Sequence, residues 1–199
     1  IIVMELLRKD RQRVVVRLLL IMLIFPWYQV GVEFPKYTIH GSIIIDLKYI
    51  IAGVVFVIAS VTDCIDGHLA RKNNLVTDFG KVMDAVADKI LVNGLLIILA
   101  CNGFISIVVP VVIITRDIFV DSIKMVAGQK KGAVGASYIG KAKTICMMIG
   151  ITLVLFYNLP FELWNIKVAD ILILIATVLS VVSGCQYYLN NKDVLFEDK

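Results

Sequence analysis

Four aspartates, Asp63, Asp66, Asp84 and Asp88, carry the spacing in this sequence that could do chemistry. On a helix Asp63 and Asp66 are i, i+3 neighbours and Asp84 and Asp88 are i, i+4 neighbours, so each pair projects from one face. Four carboxylates drawn together in a partly dehydrated pocket repel one another unless cations come between them. A pair of divalent ions removes that repulsion. All-oxygen ligation suits Mg²⁺, Mn²⁺ or Ca²⁺, and no His or Cys set suited to zinc accompanies the acids. Gly67 and Ala70 clear a strip beside the first pair, and Gly80 does the same one turn before Asp84, so a bulky group can approach both backbones closely. Arg71 is placed to pair with a phosphate or stack on a base. Together these features point to a nucleotide diphosphate held through metal ions. The plain alternative for the acids is a set of solvated helix-end residues, and for the small residues ordinary close packing of helices.

The elements that must carry these residues belong in a bilayer. The chain has 199 residues, 59% of them hydrophobic and only 18% charged, against roughly 45–50% and 25% in soluble domains. Its apolar residues form long runs without internal turn signals, which excludes a soluble enzyme, a disordered chain and a disulfide-stapled secreted domain. Cys64, Cys101, Cys146 and Cys185 form no CxxC pair and read as reduced packing residues. The net charge of +4 gathers in loops suited to an anionic leaflet, so membrane lipids are expected partners and nucleic acid is not.

A helical span needs roughly 20 apolar residues. Runs at about 14–30, 43–63, 82–101, 104–126, 139–158 and 168–189 predict six. The expected fold is therefore all-α: one polytopic membrane domain over 1–199, with an interfacial helix at 1–13, a six-span bundle over 14–189 and a cytoplasmic tail at 190–199. The basic run Arg8–Arg17 precedes an apolar stretch with no small-residue cleavage site after Trp27, so it reads as leading into a retained span. Fifteen of the 20 Lys and Arg fall in the N-terminal segment, the 71–81 and 124–143 connections and the tail. The positive-inside rule then puts both termini in the cytoplasm and the acids at the cytoplasmic face of the inner membrane. Trp27, Tyr28, Tyr157, Phe161 and Trp164 all fall near the outer interface, where amphipathic rings settle.

Written out, the acidic segment is Asp63-x2-Asp66-Gly67-x2-Ala70-Arg71-x8-Gly80-x3-Asp84-x3-Asp88. It resembles, at every fixed position, the signature of the CDP-alcohol phosphotransferase family of integral membrane enzymes. Eight fixed residues at fixed spacing are far more specific than a short glycine motif. The resemblance implies transfer of a phosphatidyl group from a CDP-linked donor to an alcohol with release of CMP. It implies two divalent cations per site, Mg²⁺ or Mn²⁺, held by Asp63, Asp66, Asp84 and Asp88, with Asp88 also the catalytic base. Asp63, Asp66, Gly67, Ala70, Arg71 and Gly80 would seat the cytidine diphosphate. A homodimer is implied by the resemblance alone.

The acceptor is read from the second half. Arg116 sits in an otherwise apolar span and Lys141 and Lys143 open the next, a set of cations suited to an acceptor that itself carries a phosphate. Thr115-Arg116-Asp117 and Gly140-Lys141-x-Lys143-Thr144 look like the matching parts of the family's bacterial members that make phosphatidylglycerol phosphate. That implies CDP-diacylglycerol as donor and sn-glycerol 3-phosphate as acceptor. The plain readings are a pair of Arg116 with Asp117 or Asp121 that ties helices together, and topology-setting charge for the two lysines. One departure stands out. Many of these enzymes begin with Asn-x2-Thr-x2-Arg, and aligning that Arg with Arg17 puts Arg11 and Val14 where Asn and Thr would be. The rival readings are a family member with another acceptor (inositol phosphate, serine or a phospholipid), an aspartate-rich prenyltransferase, and a divalent-cation transporter, whose sites lie nearer the midplane.

Overall fold

The computed structural model describes residues 36–39, 43–72, 78–131, 137–159, 161–164 and 166–196. The expected interfacial helix, the first span with Trp27 and Tyr28, the 73–77 connection and the last three residues lie outside the described residues.

Strand β1 (Lys36–Ile39) pairs antiparallel with β2 (Ile43–Asp46), Lys36 opposite Asp46 and Ile39 opposite Ile43. The hairpin corrects the expected second span, which starts at 43: Ile43, Ile44 and Ile45 are β-branched, and such a run suits a pleated strand better than a helix start. Helix α1 (Leu47–Lys72) begins after Asp46, whose carboxylate accepts the Lys48 N–H at 3.2 Å and so caps the helix. Then come α2 (Asp78–Cys101), α3 (Val108–Lys131), α4 (Tyr138–Leu155), a 3₁₀ turn at Phe161–Trp164 and α5 (Val168–Phe196).

The chain divides into two compact units, one formed by Ile1–Gly94 with Leu155–Tyr157, the other by Leu95–Val154 with Asn158–Lys199. In the first, Gly53 lets α1 approach Phe156 and Leu155; a Cβ there would come within 3.0 Å of the Phe156 ring. The Asp46 N–H donates to the Tyr157 hydroxyl at 2.9 Å, and Tyr49 meets the Tyr157 ring edge-on at 6.0 Å.

In the second unit the helix ends follow from local chemistry. α2 closes on Gly103 at φ 75°, with the Gly103 N–H on the Ala100 carbonyl and the Phe104 N–H on the Leu99 carbonyl, both at 3.0 Å. That is the Schellman pattern, and glycine fits its left-handed position without a Cβ clash. Ser137 caps α4: its Oγ accepts the Gly140 N–H at 3.0 Å, while its own N–H donates to the Tyr187 hydroxyl of α5 at 2.8 Å. Farther along, Gly150 of α4 lies so close to Ile173 of α5 that a Cβ would come within 2.8 Å of its side chain. The Ser137–Tyr187 and Gly150–Ile173 contacts make α4 and α5 antiparallel neighbours.

The connection between them is organised by Asn158, a buried residue at φ 54°, a conformation that Asn tolerates better than most side chains. Its Nδ2 donates to the Ile166 carbonyl at 2.7 Å and to Glu162 at 3.1 Å, and its Oδ1 accepts the Ala169 N–H at 3.1 Å. Asn158→Ala leaves those backbone groups unpaired and is expected to lower stability by about 2–3 kcal/mol, read as a drop in melting temperature of the detergent-purified protein. An unchanged Tm would show that water replaces the side chain.

At two places the described helices turn polarity inside out. Asp117 is 8% exposed while its neighbour Ile118 is 63% exposed, and Lys143 is 4% exposed while Ile145 is 61% exposed. In water the reverse would hold at these positions; an exposed surface rich in Ile, Leu and Val over a core that is itself mainly apolar suits a hydrocarbon surround. Among the described residues, Tyr138–Leu155 and Val168–Lys192 are long and apolar enough to cross a membrane, and α1 carries a shorter apolar stretch, Leu47–Thr62. The charged residues of α2 and α3, among them Asp84, Asp88, Arg116 and Asp117, interrupt the runs expected to span at 82–101 and 104–126.

Candidate functional site

The four acids lie on two consecutive helices. Asp63 and Asp66 are on α1, Asp84 and Asp88 on α2, and all belong to the first unit. Their distances from the helix ends match. Asp66 is six residues before Lys72, where α1 ends, and Asp84 six residues after Asp78, where α2 starts; Asp63 is nine before and Asp88 ten after. At ~1.5 Å per residue these are levels about 9 Å and about 14 Å from the connection. Residues 73–77 between the helices can span no more than about 20 Å. In an antiparallel pairing of α1 and α2, each acid of one helix therefore finds an acid of the other at its own height. The donor set is all oxygen on helical backbone, the chemistry a hard divalent ion takes.

Asp88 is exposed, next to the buried stripe of Ala87, Leu91 and Leu95 on α2. Gly67, Ala70 and Arg71 fall in the last two turns of α1 and Gly80 in the first turn of α2. The side chains of Asp63, Asp66, Arg71 and Asp84 lie outside the description, and among the described residues no three of His, Cys, Asp and Glu gather as a metal site.

The cations expected to meet the acceptor are in the second unit, and the structure parts them. Arg116 of α3 and Lys143 of α4 converge on Asp117: its Oδ1 accepts from Arg116 Nη1 and from Lys143 Nζ, each at 2.8 Å. The remaining arms of Arg116 reach α5, where Nε donates to the Ser180 carbonyl at 2.9 Å and Nη2 to the Ser183 hydroxyl. Ser180, Ser183 and Gly184 make this possible because they are small; a Cβ at Gly184 would press on Arg116 Cγ at 3.1 Å. Arg116 also lines a cavity of about 770 Å³ between α3 and α5, with Val112, Phe119, Val181 and Tyr188 along its walls. Arg116 thus has the Asp117 pairing that was weighed as its structural role. Lys141 stands apart. It is two residues from Lys143, on the exposed side of α4, with its Nζ 5.5 Å from the Tyr138 ring centre.

Sequence reasoning missed the anchoring of Arg116 on α5. The signal was present in Ser180-x2-Ser183-Gly184, whose i, i+3, i+4 spacing puts three small residues on one helix face. Asp117 figured only as a neutralising partner, because nothing in the sequence tells that Lys143, 26 residues away, shares its oxygen.

Compared with known families, residues 13–182 match the model of the CDP-alcohol phosphatidyltransferases. The chain belongs to the CDP-alcohol phosphatidyltransferase family. The matched stretch takes in the whole aspartate segment and the Arg116–Asp117–Lys143 cluster. Among curated relatives, a CDP-diacylglycerol–glycerol-3-phosphate 3-phosphatidyltransferase of Bacillus subtilis is 39% identical over 155 residues, 78% of this chain and 80% of that protein. A protein of the same name from Rickettsia bellii is 31% identical, covering 71% of this chain and 79% of its own length. Another from Mycoplasma genitalium is 38% identical over 65% of this chain, which spans about half of that longer protein (52%). As a member of this family, the chain is a phosphatidyltransferase.

Proposed function

We propose that the protein transfers the phosphatidyl group of CDP-diacylglycerol to sn-glycerol 3-phosphate, giving phosphatidylglycerol phosphate and CMP. The observation that carries this reading is the likeness, over more than two thirds of the chain, to relatives named for that reaction.

Two divalent cations, Mg²⁺ or Mn²⁺, would be held by Asp63, Asp66, Asp84 and Asp88. When bound, the metal pair neutralises the diphosphate and stabilises departing CMP. Gly67, Ala70 and Gly80 leave room for the cytidine diphosphate, and Arg71 pairs with a phosphate oxygen. Asp88 takes the proton from the acceptor hydroxyl as that oxygen bonds to the lipid-bearing phosphorus and the bond from that phosphorus to CMP breaks. Arg116 and Lys143, which converge on Asp117, recognise the acceptor phosphate, without Lys141, which lies on the exposed side of α4. Arg116 brings five N–H donors, of which the cluster uses three.

The protein is read as a six-span protein of the inner membrane, with both termini and the acids at the cytoplasmic side. Two contacts support that topology. It puts the start of α1 and the end of α4 at the same outer face, and Asp46 bonds to Tyr157. It puts the start of α4 and the end of α5 at the same inner face, and Ser137 bonds to Tyr187. A homodimer completes the reading by family likeness only.

The test is incubation of detergent-purified protein with labelled CDP-diacylglycerol and a panel of alcohols, scoring CMP and lipid product. Transfer to glycerol 3-phosphate above serine, inositol phosphate and phospholipid is expected; preference for another alcohol reassigns the acceptor. Arg116→Ala should raise the KM for glycerol 3-phosphate by about 10-fold or more while moving that for CDP-diacylglycerol little. Equal effects on both would make Arg116 a structural residue only.

A further inference from the structure

We infer that Asp117 is a positioning residue for acceptor recognition: it holds Arg116 and Lys143 at the spacing that a single phosphate bridges. The inference rests on the acceptor reading above and adds a residue to it. Two helices meet at one carboxylate oxygen, and a third is reached through Arg116. Asp117 itself is on α3, Lys143 comes from α4, and Arg116 is braced on α5 through Ser180 and Ser183.

Both nitrogens are 2.8 Å from Oδ1, so they can be no farther from each other than twice that distance. Two cations that close repel. Asp117 is what keeps them together, and at 8% exposure it does so with little help from water. Without the carboxylate, Lys143, itself 4% exposed, has lost the oxygen it shares with Arg116, and the repulsion between the two cations is no longer offset at that point. The two donors then separate, and a phosphate that needs both must first draw them back.

A residue that merely glues helices together behaves differently. Its loss lowers stability and total activity, and it does not discriminate between substrates. Asp117 is therefore tested by the split between the two KM values. In mixed micelles, Asp117→Asn is expected to raise the KM for glycerol 3-phosphate by about 10- to 100-fold, with the KM for CDP-diacylglycerol within about twofold. Asp117→Glu, which keeps the charge but moves it by one methylene, should recover part of the loss. Melting temperatures are recorded for each variant. If Asp117→Asn does not yield folded protein, Asp117→Glu carries the test, with a selective rise in the acceptor KM of about 3-fold or more expected.

An unchanged acceptor KM, or a parallel rise of both KM values together with a lowered Tm, overturns the inference. Two further measurements separate its failure from that of the acceptor reading. Wild-type protein that uses glycerol as well as glycerol 3-phosphate overturns both. Wild-type protein that needs the phosphate, with Lys143→Gln raising the acceptor KM and Asp117→Asn leaving it alone, overturns this inference only.

Discussion

Asp88→Asn is expected to lower kcat by about 10²- to 10⁴-fold. The amide keeps the shape of the carboxylate and the helix that carries it, so α2 and its buried stripe of Ala87, Leu91 and Leu95 are undisturbed. In the proposed site what is lost is the proton acceptor, and with it one oxygen ligand of the metal pair. Asp63, Asp66 and Asp84 remain, so binding of CDP-diacylglycerol should survive in large part while transfer fails. CMP release by the purified variant, set beside a direct binding measurement with the donor, reads both. Near-normal turnover would remove Asp88 from the role of base; loss of donor binding in step with turnover would make it a metal ligand and nothing more.

Removal of divalent cations should take turnover to background. With α1 and α2 paired antiparallel as proposed, four acids at two matched levels would repel without positive charge between them, and a diphosphate arriving among them would add further negative charge. EDTA followed by gel filtration should therefore abolish CMP release, and Mg²⁺ or Mn²⁺ should restore it, as oxygen ligation favours. The companion variant Asp66→Asn removes one acid from the level nearer the connection and is expected to cost about 10²-fold or more in kcat/KM, partly recovered at high metal concentration. Activity that survives exhaustive chelation would dissolve the metal reading, and the aspartates would then need another explanation.

Much of this was legible before any coordinates, for identifiable reasons. The apolar runs at 82–101, 139–158 and 168–189 end or begin within a few residues of the helices α2, α4 and α5, because a long apolar run without turn signals has few alternatives to a helix, although among the described residues only α4 and α5 of these are long and apolar enough to cross a membrane. The break expected between 101 and 104 falls at Gly103, a residue the sequence reading did not single out, where the turn needs a left-handed conformation. Ile43–Ile45 misled because hydropathy does not distinguish a β-branched strand from a helix start; the pairing with Tyr37–Ile39 decides it, and that is a tertiary fact. The aspartate signature was legible because its chemistry lies in local spacing. The partnership of Arg116 with Ser180 and Ser183, 64 and 67 residues away, was not, since short-range periodicity carries no record of which helices touch.

The polarity of α3 has a consequence for how the chain tolerates changes of length. Asp117 and Ile118 are sequence neighbours with opposite surroundings, and each residue added to an α-helix turns everything beyond it by about 100°. A single insertion ahead of Thr115 would swing Asp117 off Lys143 of α4 into the exposed place that Ile118 holds and bring Arg116 into its own, leaving the buried lysine facing a second cation. Substitutions along this helix can be absorbed one by one, whereas a one-residue frameshift of its faces cannot be repaired locally.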